Sequence, residues 1–357
     1  MTYNFDSREE IKKIDPEGVY EGTLLFPDQC EQAWSEASKI EFPAEYKNIK
    51  NVVVCGMGGS RFTPLSIKHA FADRISVPYE IVDEYELPSY VNEETLVVLS
   101  SYSGTTEEVV SCAEDALKKG AKVTGVTRNG KVGEILKRDN LSGYIFEEKF
   151  NPSGQPRIGG GYMLMGHLGI LSSLGFVKVE ESEVSEAISF ARVMGEKFLA
   201  EVSEDKNDAK KLARQLLDKD LFIITAEHLK GFANGFANQT NETAKMISSY
   251  RYISELNHHL MEGLKHPETL GKNGLFLFFE SELYSPSIQK RFPITKEVVE
   301  KQGIETLSMK LEGKTRLAQL LEAFTISSFT TLYMAILYGT NPVEIPWVDY
   351  FKEQLSK

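Results

Sequence analysis

Residues 97–108 most constrain what this chain can become. Val97, Val98 and Leu99 form a short apolar β run. It breaks into Ser100-Ser101-Tyr102-Ser103-Gly104-Thr105-Thr106 and resumes as a helical pattern through Glu107, Glu108, Val109, Val110, Ala113 and Leu117. A strand that feeds a helix N-terminus in this way is a ready anion site. The first-turn N–H groups have no partner within the helix, and the helix dipole favours negative charge there. The hydroxyls of Ser101, Ser103 and Thr106 add neutral donors, and Gly104 lets the backbone approach the bound group. No lysine lies in the loop, so it is not the nucleotide-type P-loop. Glu107 and Glu108 suit a helix start but would repel a polyphosphate, so a single phosphomonoester fits better. The competing reading is an ordinary N-cap followed by a turn.

The same strand–turn–helix unit recurs. The apolar run 51–55 ends in Gly56-Met57-Gly58-Gly59-Ser60 and is followed by a helix through Leu65, Ile67, His69 and Ala70. Further strands are predicted over 79–82, 96–99, 122–127 and 143–146, with helical segments between most of them. This alternation predicts a parallel sheet with helices on both faces. Its glycine-rich turns follow strand carboxyl ends, the edge where open α/β sheets bind ligands. A second alternation starts at 221–225. It continues as a helix over 229–246, an extended piece over 248–253, a strand over 275–279, a helix over 287–302 and a strand over 304–308. A long helix from Arg316 to about Tyr338 and a last helix over 348–355 follow. Asp28 is a candidate cap for a helix through Cys30, Ala33, Trp34 and Ala37, which Pro43 then breaks. Ala187, Phe190, Val193, Phe198 and Leu199 fall at helical spacing in a charged connecting stretch. The division expected is an N-terminal arm over 1–48, one α/β domain over 49–178, connecting helices over 179–218, a second α/β domain over 219–345 and a C-terminal helix over 346–357. The two halves share architecture more than letters, as after a duplication.

At 357 residues the chain is long for one core and natural for two. Its net charge of -12 argues against nucleic acid or an anionic membrane as the main partner. A pocket sets its own local field, so an anionic small substrate stays compatible. Cys30, Cys55 and Cys112 have no metal-ligand spacing and read as buried thiols in a reducing compartment. The first residues carry no basic and apolar leader pattern, and no apolar run approaches membrane-spanning length. A cytoplasmic protein is expected.

Several segments resemble one family. Val53-Val54-Cys55-Gly56-Met57-Gly58-Gly59-Ser60 and Ser101-Tyr102-Ser103-Gly104-Thr105-Thr106-Glu107-Glu108 are similar to the two phosphosugar loops of SIS (sugar isomerase) domains. Pro156-Arg157, Asn241-Glu242-Thr243-Ala244-Lys245, Glu255-Leu256-Asn257-His258 and the ending Gly339-Thr340-Asn341-Pro342 with Phe351-Lys352-Glu353-Gln354-Leu355 resemble a narrower group. That group is the bifunctional phosphoglucose/phosphomannose isomerases, with two SIS domains per chain. The resemblance implies a metal-free aldose–ketose isomerase without organic cofactor, converting glucose 6-phosphate and mannose 6-phosphate to fructose 6-phosphate through an enediolate.

Such chemistry needs one base that takes and returns a proton, and Glu242 is the family match; desolvation would bring its pKa nearer the working pH. Arg157 is the candidate for holding the enediolate oxygen, where charge develops in the transition state. His258 and Lys352 match the pair that opens the sugar ring. The resemblance further implies that the histidine comes from a neighbouring subunit, so that the active site is shared in a homodimer. Gly59, Ser60, Ser101, Ser103 and Thr106 are expected at the phosphate. His259 stands where the family has Asn, and in an extended stretch it would face away from His258. Arg61-Phe62-Thr63-Pro64 replaces small residues after Ser60, so it is expected either to narrow the site or to add an Arg61 phosphate contact. Thr105 replaces Asn. These departures bear on sugar selectivity, above all on the C2 epimer. The alternatives are a phosphosugar-sensing SIS protein without catalysis and an aminosugar-phosphate isomerase.

Overall fold

The computed structural model describes residues 4–355 and 357. Its first half runs α1 (Arg8–Lys12), α2 (Val19–Leu24), α3 (Phe26–Ala37), β1 (Asn51–Gly56), α4 (Gly59–Ala70), β2 (Tyr79–Val82), β3 (Thr95–Ser100), α5 (Glu107–Lys118), β4 (Lys122–Thr127), α6 (Gly130–Arg138), β5 (Tyr144–Ile145) and α7 (Gly160–Ser173). Two connecting helices follow, α8 (Glu181–Lys197) and α9 (Asp208–Leu216). The second half runs β6 (Asp220–Thr225), α10 (Lys230–Glu242), β7 (Ser248–Tyr252), α11 (Ile253–Gly263), α12 (Leu270–Asn273), β8 (Gly274–Glu280), α13 (Pro286–Lys301), β9 (Glu305–Lys310), α14 (Arg316–Tyr338) and α15 (Pro346–Leu355).

All strand pairs are parallel, in the orders β2-β1-β3-β4-β5 and β7-β6-β8-β9. The first four strands of each half therefore have the same topology. Successive residues of β1 and β3 point to opposite faces of the first sheet. Val52, Val54, Leu96 and Val98 enter the main core. Val53, Cys55, Val97 and Leu99 pack with Val109 and Cys112 of α5 and with Val132 and Ile135 of α6 in a second cluster. Both faces are covered, which is why these strands read as unbroken apolar runs.

The main core is continuous from Phe5 and Ile11 through α3, α7 and α14 into the second sheet. The N-terminal residues are packed into it: α3 lies along α7, and the ammonium of Lys210 binds Asp6 Oδ1 at 2.8 Å and the carbonyls of Ala200 and Val202 at 2.6 and 2.9 Å. Helix α14 has the length and hydropathy of a membrane span, but 89% of that window is buried inside the fold.

Four local expectations change. Asp28 sits inside the first turn of α3, where it pairs with Arg192 at 2.8 Å; Leu25 is at the N-cap and Pro27 opens the helix. The carboxylate that does cap a helix is Asp15, which accepts the N–H groups of Val19 and Tyr20 at the start of α2. Val193 is exposed on α8, whose buried stripe is Val184, Ala187, Ile188, Ala191 and Met194. The extended segment stops at Tyr252, and residues 253–263 form α11, so His258 and His259 are helical neighbours rather than opposite faces of a strand.

Candidate active site

The two hydroxyl-bearing turns lie side by side at the carboxyl edge of the first sheet and are tied to each other. Pro64 lies inside α4 and has no N–H to give to the carbonyl of Ser60, four residues back. Ser100 Oγ donates to that carbonyl instead, at 2.5 Å. The Ser60 hydroxyl in turn accepts the N–H of Tyr102 at 2.9 Å. The proline thus frees an acceptor that locks the first loop to the second.

Within the second loop Ser101 Oγ and Thr106 Oγ1 are 2.8 Å apart, Ser101 Oγ accepts the Gly104 N–H at 3.1 Å, and Ser103 Oγ lies 3.0 Å from Thr105 Oγ1. Thr106 occupies the N-cap of α5, and its side chain makes no capping bond, which leaves the first-turn N–H groups without a side-chain partner there. Gly104 has φ +72°, and a Cβ there would stand 1.7 Å from the Asn129 carbonyl oxygen, so no other residue fits.

The connector before α7 spans both turns. A Cβ on Gly59 would be 3.8 Å from the Arg157 nitrogen, and one on Gly159 would be 2.3 Å from the Tyr102 ring. Arg157 is 3% exposed, and every donor of its guanidinium is used. Nη2 donates to the carbonyls of Pro342 at 2.5 Å and Val343 at 2.9 Å; Nε donates to Thr243 Oγ1 at 3.2 Å. Nη1 donates to Gln155 Oε1 at 2.9 Å and to Glu242 Oε2 at 3.4 Å. Burial pushes the Arg157 pKa down, opposed by the Glu242 carboxylate. It is a buried cation held in place by five protein acceptors.

Glu242 is the last residue of α10, and its side chain is 34% exposed, turned toward Arg157 from the second half of the chain. Glu242 and Arg157, which pair, and Gly59, Ser60, Ser101, Ser103 and Thr106, which stand on two tied loops that the Pro156-Arg157 backbone passes, are therefore grouped at one edge. His258 and Lys352 are not. His258 is on the exposed side of α11, where its neighbour His259 lies 3.3 Å from Glu255. Lys352 is on α15, a helix with no buried residue. Among the described residues no hydrogen bond or ion pair joins either to Arg157 or Glu242. The Arg61-Phe62-Thr63-Pro64 departure leaves the crevice open: Arg61 pairs with Asp83 at 2.7 Å and Asn234 at 2.8 Å, and Phe62 is buried against Phe324. Residues that sequence reasoning passed over include Thr243, Gln155 and Tyr102; Tyr102 also bonds Asn151 and Glu148 through its hydroxyl. Among the described residues no group of three or more His, Cys, Asp or Glu side chains is arranged to hold a metal ion.

Residues 45–140 match the SIS domain, and residues 205–355 match the bacterial phospho-glucose isomerase C-terminal SIS domain. A bifunctional phosphoglucose/phosphomannose isomerase of Caldicellulosiruptor bescii is 29% identical over 349 residues, covering 95% of this chain and 99% of that protein. One from Aquifex aeolicus is 28% identical over 345 residues, covering 96% and 99%. The crystal structure of a hypothetical protein from Thermus thermophilus superposes with a TM-score of 0.74 at 16% identity, over 99% of this chain and 93% of that one, a likeness of fold.

Proposed function

We propose that this chain, a two-SIS-domain protein of the bifunctional phosphoglucose/phosphomannose isomerase family, interconverts glucose 6-phosphate and mannose 6-phosphate with fructose 6-phosphate. One SIS domain spans 49–178 and the other 219–345, with 179–218 between them and the C-terminal helix after them. The phosphate rests against Gly59, Ser60, Ser101, Ser103 and Thr106 and the free N–H groups of α5. The Glu242 carboxylate removes the C2 proton of the open-chain aldose. The C–H electron pair moves into the C1–C2 bond and the carbonyl oxygen takes up negative charge, which the positive field of the fixed Arg157 guanidinium offsets. The O2 hydroxyl proton passes to O1, the C2–O2 bond becomes the new carbonyl, and Glu242 returns its proton to C1 as the enediolate electron pair forms the C1–H bond. No metal or organic cofactor takes part. The observation that carries this reading is the 3.4 Å pairing of Glu242 with a buried Arg157 whose other donors are all fixed, beside both phosphosugar loops.

Ring opening needs a proton moved between O1 and O5, and we assign it to His258 and Lys352. His258 would come from a second copy of the chain, which makes the working unit a homodimer. The exposure of α11 and α15 supports this, because Trp347, Tyr350 and Phe351 are 81%, 56% and 60% exposed and leave a large apolar face for a partner copy. The three buried free thiols suit a reducing, cytoplasmic setting.

Incubation of the purified protein with fructose 6-phosphate in D2O, followed by NMR, tests the reading. The expected products carry deuterium at C2 of both aldose phosphates. Saturable binding without exchange would point to a sensor, and faster turnover of glucosamine 6-phosphate to an aminosugar enzyme.

A further inference from the structure

The turn that ends α10 adopts a backbone that its sequence does not favour. Glu242 is the last helical residue, Thr243 is the C-cap, and Lys245 follows with φ +57°. A left-handed residue after a helix is usually glycine or asparagine, since a Cβ is disfavoured there. With lysine in that position the side chain folds back over the helix end, and its Nζ donates to the main-chain carbonyl of Glu242 at 2.6 Å. That carbonyl is one of those a helix terminus leaves without a partner.

The neighbouring groups are fixed as well. The Thr243 N–H donates to the Gln239 carbonyl at 2.8 Å, the Met246 N–H to the Thr240 carbonyl at 3.3 Å, and the Ser248 N–H to Asn241 Oδ1 at 2.9 Å. The last turn of α10 is thus held on each side of Glu242, and Lys245 holds Glu242 itself.

We propose that Lys245 is a positioning residue of the isomerase site: its ammonium, clamped on the Glu242 carbonyl, sets the direction in which the Glu242 carboxylate leaves the helix end. The inference rests on the isomerase reading above. A base that shuttles one proton between two adjacent carbons must reach both from a single anchor, and small errors in that anchor are costly. Six charged groups surround the ammonium. Arg157 and Glu242 lie on the site side, Glu344 lies before α15, and Asp218, Lys219 and Asp220 line the same cleft. Partial desolvation of the ammonium and the charge of Arg157 push the Lys245 pKa down to about 8, against the pull of Glu242 and Glu344. The clamp therefore weakens as pH rises through that value.

The test compares kcat and KM for fructose 6-phosphate in the full-length wild type with Lys245→Met, Lys245→Arg and Lys245→Gly. Lys245→Met should lower kcat about tenfold to a hundredfold, with KM changed by less than about threefold. Lys245→Gly suits the left-handed backbone and should keep or raise Tm while losing the same activity, which separates the clamp from folding. Lys245→Arg can still donate to the carbonyl. It should recover most of kcat and carry the alkaline limb of the profile to higher pH. Wild-type kcat in the Met and Gly variants, a loss confined to KM, or an Arg variant as slow as Met would each overturn the proposal. An inactive wild type would refute the isomerase reading and this inference with it. An active wild type beside an unimpaired Met variant would refute the inference alone.

Discussion

Single side chains set both the chemistry and the pH range of this protein. Glu242→Gln keeps the shape of the proposed base but cannot accept a proton from carbon, so kcat should fall about a hundredfold to ten-thousandfold while the phosphosugar Kd stays within severalfold. Isothermal calorimetry beside turnover assays separates the two effects. Arg157→Lys should lose activity too, because one ammonium cannot reproduce the bonds to Thr243, Gln155, Glu242, Pro342 and Val343, and the stranded carbonyls lower stability as well. Three histidines, His69, His167 and His228, bear on the acid limit of stability, because burial pushes their pKa values down to about 4. His167 Nδ1 is 2.7 Å from the Met163 carbonyl, and Nε2 is buried without a partner, so a second proton would place an unpaired charge in the core. Between pH 6.5 and about 4 the unfolded chain binds more protons than the folded one at these sites. Stability is therefore full above that window and lost as pH falls through it, by up to about 3 kcal/mol per histidine. Urea midpoints at pH 7, 6 and 5 should fall in that order, and His167→Leu should flatten the slope.

Elements differ in how openly the sequence announces them. The central strands could be read because a strand buried on both faces is an uninterrupted apolar run, and the anion-binding turns because glycine and hydroxyl residues stand where such a run stops. Helix α11 is hidden in the letters. Tyr250, Tyr252 and Ile253 continue a β-like run, while only Ile253 and Leu256 are buried along the helix, too few to mark its period. The Arg157–Glu242 pair was legible only as two motifs. Its ends lie 85 residues apart, and nothing local in either segment encodes their meeting. Helix α15 poses the reverse case: its limits were readable, and its packing partner is a question of assembly. If it docks on a second copy, Trp347→Glu with Phe351→Glu removes two large apolar anchors at roughly 2 kcal/mol each. Dimer affinity should then weaken on the order of a thousandfold. Sedimentation should show monomers at micromolar concentration, and turnover should fall in step with the dimer fraction. Full activity in a monomeric double variant would remove His258 of a second copy from the ring-opening step.

At the scale of the whole molecule, two sheets of one topology leave the question of why only the first binds a sugar phosphate in the proposed mechanism. The answer lies in two equivalent positions. Gly58 stands two residues beyond β1 with φ +50°, and a Cβ placed there would meet nothing within 4 Å. Glu227 stands two residues beyond β6 with φ +38°, so the turn is alike but the residue carries a carboxylate. That carboxylate accepts the N–H of Ser285 at 3.0 Å and its hydroxyl at 2.6 Å. Ser285 is the N-cap of α13, the helix that follows β8 as α5 follows β3. The chain's own anion therefore occupies the helix terminus in the second half, and the open glycine turn keeps it accessible in the first. Calorimetric titration with a phosphosugar should saturate at one molecule per chain, with two per chain counting against this account. Glu227→Ala should leave turnover unchanged and cost about 1 kcal/mol of stability, the ordinary worth of a lost helix-start bond. A fold of two like halves with a single site thus needs no loss of architecture, only one side chain that returns to the place where a ligand would sit.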